Sequence, residues 1–410
     1  MKRLNYKKNN NNCYSILLIF VIYLFVFEFA LMNVSSVFGY WDEFYAFLAF
    51  PIAVIRPQRK ISLTNFVIFL TLVAFIIFTL IGNIKYNYQR VSYVALDIFL
   101  HLKFPLSIIT TVFLFNKVNI KGLMTGVKRQ CFYIIDLLFI LLIMNYGLHY
   151  FPFHEIRFGI PSQQLFFGHP TGLATVSFFL LMLVTLKFEG SAKDKIHIAM
   201  LLFMVVSTLR TKAILSIFTY VYLYYWIIVL KRELSAFAIA VIGVAAILFG
   251  WNQINFYFLD YNVTQTARGA LTYVSSKIAK SSFPFGSGFG TFGSAPSGDN
   301  YSPVYALYGI SNVWGLSRVF HSYISDTFWP MILGQSGFLG LSAYIIFLIE
   351  LFVSFTSRLK DNSLLYGTAL AIFSYLLISS TSESAFVNPS AVFLGFTLGL
   401  VFLLHQQSDK

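Results

Sequence analysis

Long apolar blocks, separated by short polar segments, make up most of this sequence. The blocks are about 18–25 residues long, enough to cross the hydrocarbon core of a bilayer as helices. Helices are expected because backbone polar groups in lipid must be satisfied within their own segment. The sequence therefore predicts an all-α polytopic membrane protein with about 12 transmembrane helices. These lie near 14–32, 40–55, 63–82, 92–115, 130–150, 169–187, 196–209, 211–230, 235–251, 327–356, 363–381 and 390–405.

Composition agrees with this class. Hydrophobic residues make up 58% of the chain and charged residues 11%, whereas about a quarter of the residues in a soluble domain are charged. The blocks divide the chain into three parts. Residues 1–251 hold nine predicted spans with short loops, 252–326 form one long polar loop, and 327–410 hold three spans and a tail.

The distribution of positive charge predicts the orientation. Most of the 29 lysines and arginines lie in alternate segments: 1–13, 56–60, 116–129, 187–197, 231–232, 358–360 and the C-terminal tail. Cytoplasmic loops carry such an excess. We therefore expect both termini in the cytoplasm and the 252–326 loop outside. The net charge of +13 then reports topology, and we expect no nucleic-acid partner.

Cations also lie at the predicted outer ends of the spans. Arg157, Arg210, Arg268 and Arg318 all fall in outside segments, and His321 follows the last of them. The guanidinium group offers a planar fork of donors suited to phosphate and pyrophosphate, and histidine is suited to moving protons. Gathered on one face, these residues indicate an anionic, membrane-borne substrate.

Each of these residues has a simpler interpretation. Arg157 fits a solvated loop cation, and Arg268 fits an ordinary surface charge in a long polar loop. Arg210 lies in a turn so short that snorkelling to the interface also explains it. His321, just before a predicted span, fits an amphipathic residue at the membrane interface.

Three further features leave alternatives open. The glycine-rich stretch 282–292 fits a flexible loop, and it lacks the strand and helix context of a nucleotide-binding fingerprint. Asp97, His101 and Lys103 lie within one predicted span, where they fit either a proton relay or a mutually satisfied structural group. The aromatic residues of the long loop fit either sugar stacking or anchoring at the interface. They are Tyr257, Tyr261, Phe289, Phe292, Tyr301 and Trp314.

Several short motifs occur in a fixed order from Arg157 to the C-terminus. Arg157 precedes Pro170-Thr-Gly-Leu-Ala174, and Ser207-Thr-Leu-Arg210 follows two spans later. The remaining motifs are Arg268 with Pro284-Phe-Gly-Ser-Gly-Phe-Gly290, His321-Ser-Tyr-Ile324 with Gly337 and Gly340, and Glu383 with Asn388-Pro389. Together with the span pattern, this ordered set resembles the O-antigen polymerase and ligase superfamily of bacterial membrane glycosyltransferases.

The resemblance implies a GT-C-like fold and metal-independent glycosyl transfer on the outer face of the bacterial cytoplasmic (inner) membrane. The donor would be a glycan on undecaprenyl pyrophosphate, and the acceptor a second lipid-linked repeat unit. The product would be O-antigen or capsular polysaccharide, made without a cofactor or metal. Besides the lipid bilayer, a chain-length regulator protein is a further expected partner.

The resemblance also implies roles for individual residues. The predicted catalytic residues are His321, as acceptor of the hydroxyl proton or as a hydrogen-bond partner of the pyrophosphate, and Arg268 and Arg210, facing the diphosphate leaving group. The predicted binding residues for pyrophosphate or glycan are Arg157, Arg318, His169 and Tyr323. Two alternatives stay open: a ligase that moves the glycan to lipid A core or protein, and a transporter of lipid-linked sugars.

Overall fold

The computed structural model of the protein describes residues 2–55, 63–157, 159–235, 240–244, 248 and 263–408. In these ranges the regular secondary structure is helical, apart from a two-stranded antiparallel hairpin of β1 (Ile156–Arg157) and β2 (Ile160–Pro161). The α-helices are α1 Lys2–Met32, α2 Trp41–Phe47, α3 Ala49–Ile55, α4 Leu63–Tyr86, α5 Val91–Phe115, α6 Ile120–Leu148, α7 Pro170–Thr185, α8 Ala192–Ser207, α9 Thr211–Leu223, α10 Ala267–Ser281, α11 Ala295–Asp299, α12 Val304–Leu307, α13 Trp329–Leu359, α14 Ser363–Ser380 and α15 Pro389–Ser408. A π-helix, Tyr224–Val229, continues α9, and short 3₁₀ turns occupy Ser36–Tyr40, Leu165–Phe167 and Val263–Gln265.

Eight helices in the described ranges are long and apolar enough to cross a membrane. They are α1, α4, α5, α6, α9 with its π-helical extension, α13, α14 and α15. By length and composition these helices confirm the expected class, an all-α polytopic membrane protein. The count of about 12 spans, the outside position of the loop and the orientation of the termini stay predictions.

The other four predicted spans are not among these eight helices. The block 40–55 forms two helices of 7 residues each, α2 and α3. The blocks 169–187 and 196–209 form α7 and α8, each 16 residues long. The predicted span 235–251 lies largely outside the described residues.

The helices α7, α14 and α15 carry the most continuously buried side chains of the bundle. Gly395 and Gly399, one turn apart on α15, allow α5 to approach closely. A Cβ atom added at Gly399 would lie 2.5 Å from the Cβ of Thr111, and one at Gly395 would overlap the Ser107 hydroxyl. Small residues at this spacing are the usual means of close helix packing in membranes.

A buried ion cluster joins α2 to α5. Lys103 Nζ lies 2.5 Å from Asp42 Oδ2 and 2.7 Å from Glu43 Oε1, and the side chains of Lys103 and Asp42 are buried. Charges away from water need such partners. The pairing explains why the block 40–55 carries acidic residues at its start.

The glycine-rich segment 284–293 is inserted between α4 and α13. At Gly82 of α4, an added Cβ would lie 2.7 Å from the carbonyl oxygen of Gly286. Within α13, Gly337 has a φ of 63°, a left-handed conformation that favours glycine, and a Cβ there would overlap the Pro284 carbonyl oxygen. Backbone therefore packs directly on backbone at both contacts.

Polar side chains of the bundle hold this inserted segment through its backbone. Asn83 accepts a hydrogen bond from Phe289 N–H at 2.7 Å and donates to the Phe289 carbonyl at 2.9 Å. The Asp97 carboxylate accepts from Gly290 N–H at 2.6 Å, and the Gln335 amide donates to the Phe292 carbonyl at 2.8 Å. The segment is thus a scaffold element fixed to the bundle, and the flexible-loop interpretation is wrong.

The described part of the long loop, 263–326, has a hydrophobic core of its own. It is formed by α10, by Phe292 of the inserted segment and by residues that follow it. The core residues are Ala270, Leu271, Val274, Ile278, Phe292, Val304, Tyr305, Ile310, Leu316 and Ile324. The helix α10 also packs against α13. The loop therefore presents its residues from a folded platform.

Candidate functional site

A cavity of about 750 Å³ lies where the folded loop meets the ends of several bundle helices. Its walls come from the segment before α7, the turn between α8 and α9, the start of α10, the segment before α13 and the segment after α14. The lining residues are His154, Arg157, His169, Thr171, Arg210, Thr211, Lys212, Gln265, Thr266, Ala267, Arg268, Trp314, Ser322, Tyr323, Asp326, Ser382 and Glu383.

Two arginines of the cavity wall form a first group with Glu155. Arg157 Nε lies 2.9 Å from Glu155 Oε1, and Arg210 Nη1 lies 3.2 Å from the same oxygen. Arg157 Nη1 also donates to the Leu209 carbonyl at 3.4 Å. A single carboxylate oxygen therefore holds two guanidinium groups side by side.

The turn that carries Arg210 is fixed to the segment before α7. Ser162 Oγ donates to the Thr208 carbonyl at 2.7 Å, and Gln163 N–H donates to the Ser207 carbonyl at 3.0 Å. Leu209 has a φ of 50°, which reverses the chain sharply between α8 and α9. Arg210 therefore stands at the start of α9 on a constrained turn.

His169 immediately precedes α7 and contacts this arginine group. Its Nδ1 accepts from Thr171 N–H at 3.1 Å, and its Nε2 lies 3.3 Å from Arg210 Nη2. Burial, followed by the charge of Arg210, lowers the pKa of His169 to about 4. At pH 7 the ring is therefore neutral. A neutral imidazole has one acceptor nitrogen, whereas both nitrogens of His169 face N–H donors.

Two ion pairs form the second group on the wall. Arg268, in the first turn of α10, lies with Nη2 3.3 Å from Asp326 Oδ2. Lys212, in the first turn of α9, is paired with Glu383, which follows α14. Burial raises the pKa of the Asp326 carboxyl, although Arg268 and Lys212 both oppose the rise.

Positive charge exceeds negative charge in this cavity. Its walls carry four cationic side chains, Arg157, Arg210, Lys212 and Arg268, while the carboxylates paired with them are Glu155, Glu383 and Asp326. Burial, followed by the charge of Arg157, lowers the pKa of Arg210, but a guanidinium stays protonated in proteins. The arrangement fits an anion with several oxygens, which can take over bonds now made by the carboxylates.

Five of the seven predicted site residues lie together at this cavity. They are Arg157, His169, Arg210, Arg268 and Tyr323. The other two, Arg318 and His321, do not line it. Arg318 is exposed. The His321 ring lies against Gly298, and its Nδ1 is buried without a hydrogen-bond partner in the described part of the chain.

Sequence reasoning missed three ionisable residues that line the cavity or pair with its arginines. His154 lines the wall, with its ring 4.7 Å from that of His169, and Glu155 and Asp326 hold the arginines. The sequence does contain a signal for His154 and Glu155, because His154-Glu155-Ile-Arg157 places three ionisable groups next to a predicted span. Asp326 offered no signal beyond its position before α13.

The polar residues inside α5 are bound to other parts of the protein. Lys103 pairs with Asp42 and Glu43, and Asp97 accepts from the backbone of Gly290. His101 Nδ1 lies 2.7 Å from the Asp97 carbonyl oxygen, and its ring contacts Phe289. These contacts favour the structural interpretation over the proton relay.

The aromatic residues of the loop separate into two sets. Phe289 and Phe292 are fully buried, and the Tyr301 hydroxyl donates to the Leu316 carbonyl at 2.6 Å. Trp314 is 72% exposed, lines the cavity and packs against Phe320 at 4.6 Å between ring centroids. Tyr257 and Tyr261 lie outside the described residues.

Among the residues that the structure describes, no group of three or more histidine, cysteine, aspartate or glutamate side chains is arranged to hold a metal ion. No protein-family model and no curated protein matches this chain. The fold and the cavity define a polytopic helical membrane protein with a cationic cavity at the ends of its helices.

Proposed function

We propose that this chain is a membrane glycosyltransferase that polymerises undecaprenyl-pyrophosphate-linked repeat units into O-antigen or capsular polysaccharide. The observation that carries the proposal is the convergence of Arg157, Arg210 and Arg268 on one cavity from three separate segments. Their spacing in the sequence resembles that of the O-antigen polymerase and ligase superfamily. The reaction would take place on the outer face of the bacterial cytoplasmic membrane.

The chemistry of the donor matches the charges of the cavity. When a sugar leaves undecaprenyl pyrophosphate, negative charge grows on the diphosphate oxygen. Fixed guanidinium groups in a partly dehydrated site stabilise such charge, and Arg210 and Arg268 both lie on the wall. Glu155 and Asp326 hold these groups in place, and the diphosphate would compete with these carboxylates for them.

The exposed aromatic side chains provide a surface for the glycan. Trp314 and Tyr323 line the same cavity as the arginines and are 72% and 40% exposed. Aromatic faces pack against the apolar faces of sugar rings, and tyrosine adds a polar group at the edge. We assign these two residues to contacts with a repeat unit, beside the cations that hold its pyrophosphate.

A ligase of the same superfamily would use the same donor and therefore the same cavity, with lipid A core or a protein as acceptor. A transporter of lipid-linked sugars is less well supported. Transporters carry polar binding groups near the middle of the membrane, and the polar groups of α5 are paired with protein partners. The lipid bilayer and a chain-length regulator protein remain the proposed partners.

The test is the glycan profile of a strain that lacks this chain, separated by size. A polymerase predicts a product with one repeat unit and no ladder, and restoration of the ladder by the wild-type copy. Lipid-linked polymer that accumulates beside a bare acceptor would establish the ligase instead. An unchanged profile would overturn both readings for that glycan.

A further inference from the structure

The proposed polymerisation requires a group that accepts a proton. The hydroxyl of the acceptor sugar attacks the anomeric carbon of the donor, and a new C–O bond forms as the bond to the diphosphate oxygen breaks. The electron pair leaves on the diphosphate, and the hydroxyl proton must pass to a base at the cavity. The identity of that base depends on which side chains reach the cavity.

The histidines are poorly placed for this step. His321 does not line the cavity, and its ring lies against Gly298. His169 lines it, but Nδ1 accepts from Thr171 N–H and Nε2 faces Arg210. The adjacent guanidinium of Arg210 opposes a positive charge on that ring. His154 is exposed, and its ring packs edge-on against that of His169.

Two carboxylates, Asp326 and Glu383, line the cavity, and a third, Glu155, pairs with two of its arginines. The three differ in how firmly they are held. Glu155 bridges Arg157 and Arg210 through one oxygen, at 2.9 and 3.2 Å. Glu383 forms a close pair with Lys212. Asp326 makes a longer contact, 3.3 Å, with Arg268. Its side chain is 33% exposed, so it is open to a substrate in the cavity.

We propose that the Asp326 carboxylate, rather than His321, accepts the proton of the attacking hydroxyl. This inference rests on the proposed function. Asp326 and Tyr323 line the same cavity as Arg268 and lie three residues apart in one segment, and the Asp326 carboxylate contacts the Arg268 guanidinium. Arg268 is the cation that we assign to the leaving diphosphate, so the base and the leaving-group contact are neighbours.

Other features of Asp326 agree with this role. Burial raises the pKa of its carboxyl above the usual range, and Arg268, Lys212 and Glu383 are the charged groups that face it. A base is more effective when its pKa lies closer to the working pH. When the diphosphate binds Arg268, the carboxylate loses a partner and its proton affinity rises further.

The test uses purified full-length protein in lipid nanodiscs and lipid-linked repeat units extracted from the deletion strain. Turnover is measured as glycosidic bonds formed, and binding is measured separately with inorganic pyrophosphate. In the Asp326→Asn variant we expect turnover to fall by about 10²–10⁴-fold, the range for loss of a general base. Pyrophosphate binding should be equal or tighter, because the competing negative charge is gone. The Asp326→Glu variant should recover part of the turnover.

The competing variant is His321→Asn: turnover within about tenfold of wild type supports Asp326 as the base, since general-base loss costs more than that, and a fall as large as that of Asp326→Asn would overturn the assignment and return the role to His321. Wild-type turnover in Asp326→Asn would overturn the assignment of the base. Loss of pyrophosphate binding in that variant would also overturn it and make Asp326 a structural partner of Arg268. In both cases the proposed function would stand, as long as the wild-type protein itself forms glycosidic bonds. Absence of turnover in the wild type would overturn the proposed function itself.

Discussion

At the scale of single residues, the form of the cation matters as well as its charge. Arg268 offers a planar set of donors, whereas lysine offers a point charge. In the Arg268→Lys variant we expect the affinity for inorganic pyrophosphate to fall by about tenfold, equal to about 1.4 kcal/mol. Isothermal titration of the purified protein measures it. The matched control is Lys280→Ala, an exposed cation on the same helix, which should bind as wild type.

An unchanged affinity in Arg268→Lys would show that the cavity attracts anions through bulk charge alone. A loss in Lys280→Ala equal to that in Arg268→Lys would point the same way. Either result would remove the structural basis for a guanidinium contact with diphosphate.

His169 provides a prediction about pH. Its pKa is lowered to about 4 in the folded protein from a usual value of 6.5. Between about pH 4 and pH 6.5, therefore, the unfolded chain binds a proton at this histidine and the folded chain does not. Stability from this residue is present above pH 6.5 and is lost as the pH falls toward about 4.

The His169→Asn variant tests this directly, because asparagine can still accept from Thr171 N–H at the start of α7. We expect the loss of thermal stability between pH 7 and pH 5 to be smaller in the variant than in the wild type. Unfolding midpoints at both pH values, measured in the same detergent, decide it. Identical losses in the two proteins would show that His169 does not titrate in this interval.

At the scale of elements, the docking of the glycine-rich segment on α13 is sensitive to substitution. Gly337 has a φ of 63°, and a Cβ there would overlap the Pro284 carbonyl oxygen. A backbone with φ 63° and ψ −163° lies in a region used almost only by glycine, and it costs another residue about 1–3 kcal/mol. We expect Gly337→Ala to lower the unfolding midpoint and to expose the loop to protease.

The matched control is Gly126→Ala on α6, where an added Cβ meets no atom within 4 Å. Alanine in an open helical position stabilises a helix by about 0.5–1 kcal/mol relative to glycine. The Gly126→Ala variant should therefore be at least as stable as wild type. A Gly337→Ala protein with wild-type stability and protease resistance would contradict the scaffold role of the inserted segment.

The elements differ in how well the sequence predicts them. The helices α4, α5, α13, α14 and α15 begin and end within a few residues of the predicted spans, because an uninterrupted apolar run specifies a long helix in lipid. The block 40–55 forms two short helices. In the first of them, Asp42 and Glu43 contact Lys103, which lies about 60 residues later in the chain. Such a contact depends on tertiary packing, which periodicity does not report.

The cavity shows the same division. Arg157, Arg210 and Arg268 could be predicted because lysine and arginine are less frequent in outside segments, where these three are expected, and because their order resembles that of the superfamily. The partner of Arg268 could not, because Asp326 reaches Arg268 only after the loop has folded. The direction of the His321 ring likewise depends on Gly298, which follows the glycine-rich segment and lies 23 residues earlier. Side-chain orientation in a folded loop is not encoded in local spacing.

At the scale of the whole molecule, the distribution of lysine and arginine predicts that the loop and the C-terminus lie on opposite sides of the membrane. The test places single cysteines in a chain whose native thiols, Cys13 and Cys131, are replaced by serine. We expect Lys280→Cys to react with an impermeant maleimide in intact spheroplasts. The Ser408→Cys variant should react only after permeabilisation. The reverse pattern would place the cavity in the cytoplasm and contradict the proposed site of reaction.

The central claim is that this one chain joins lipid-linked repeat units through the cationic cavity. The most direct measurement is the reaction of purified wild-type protein in nanodiscs with repeat units extracted from the deletion strain. We predict a ladder of longer lipid-linked glycans, with one undecaprenyl pyrophosphate released for each bond formed, and loss of the ladder in Arg210→Ala. Substrate that stays at one repeat unit with wild-type protein, or an undiminished ladder with Arg210→Ala, would contradict the account.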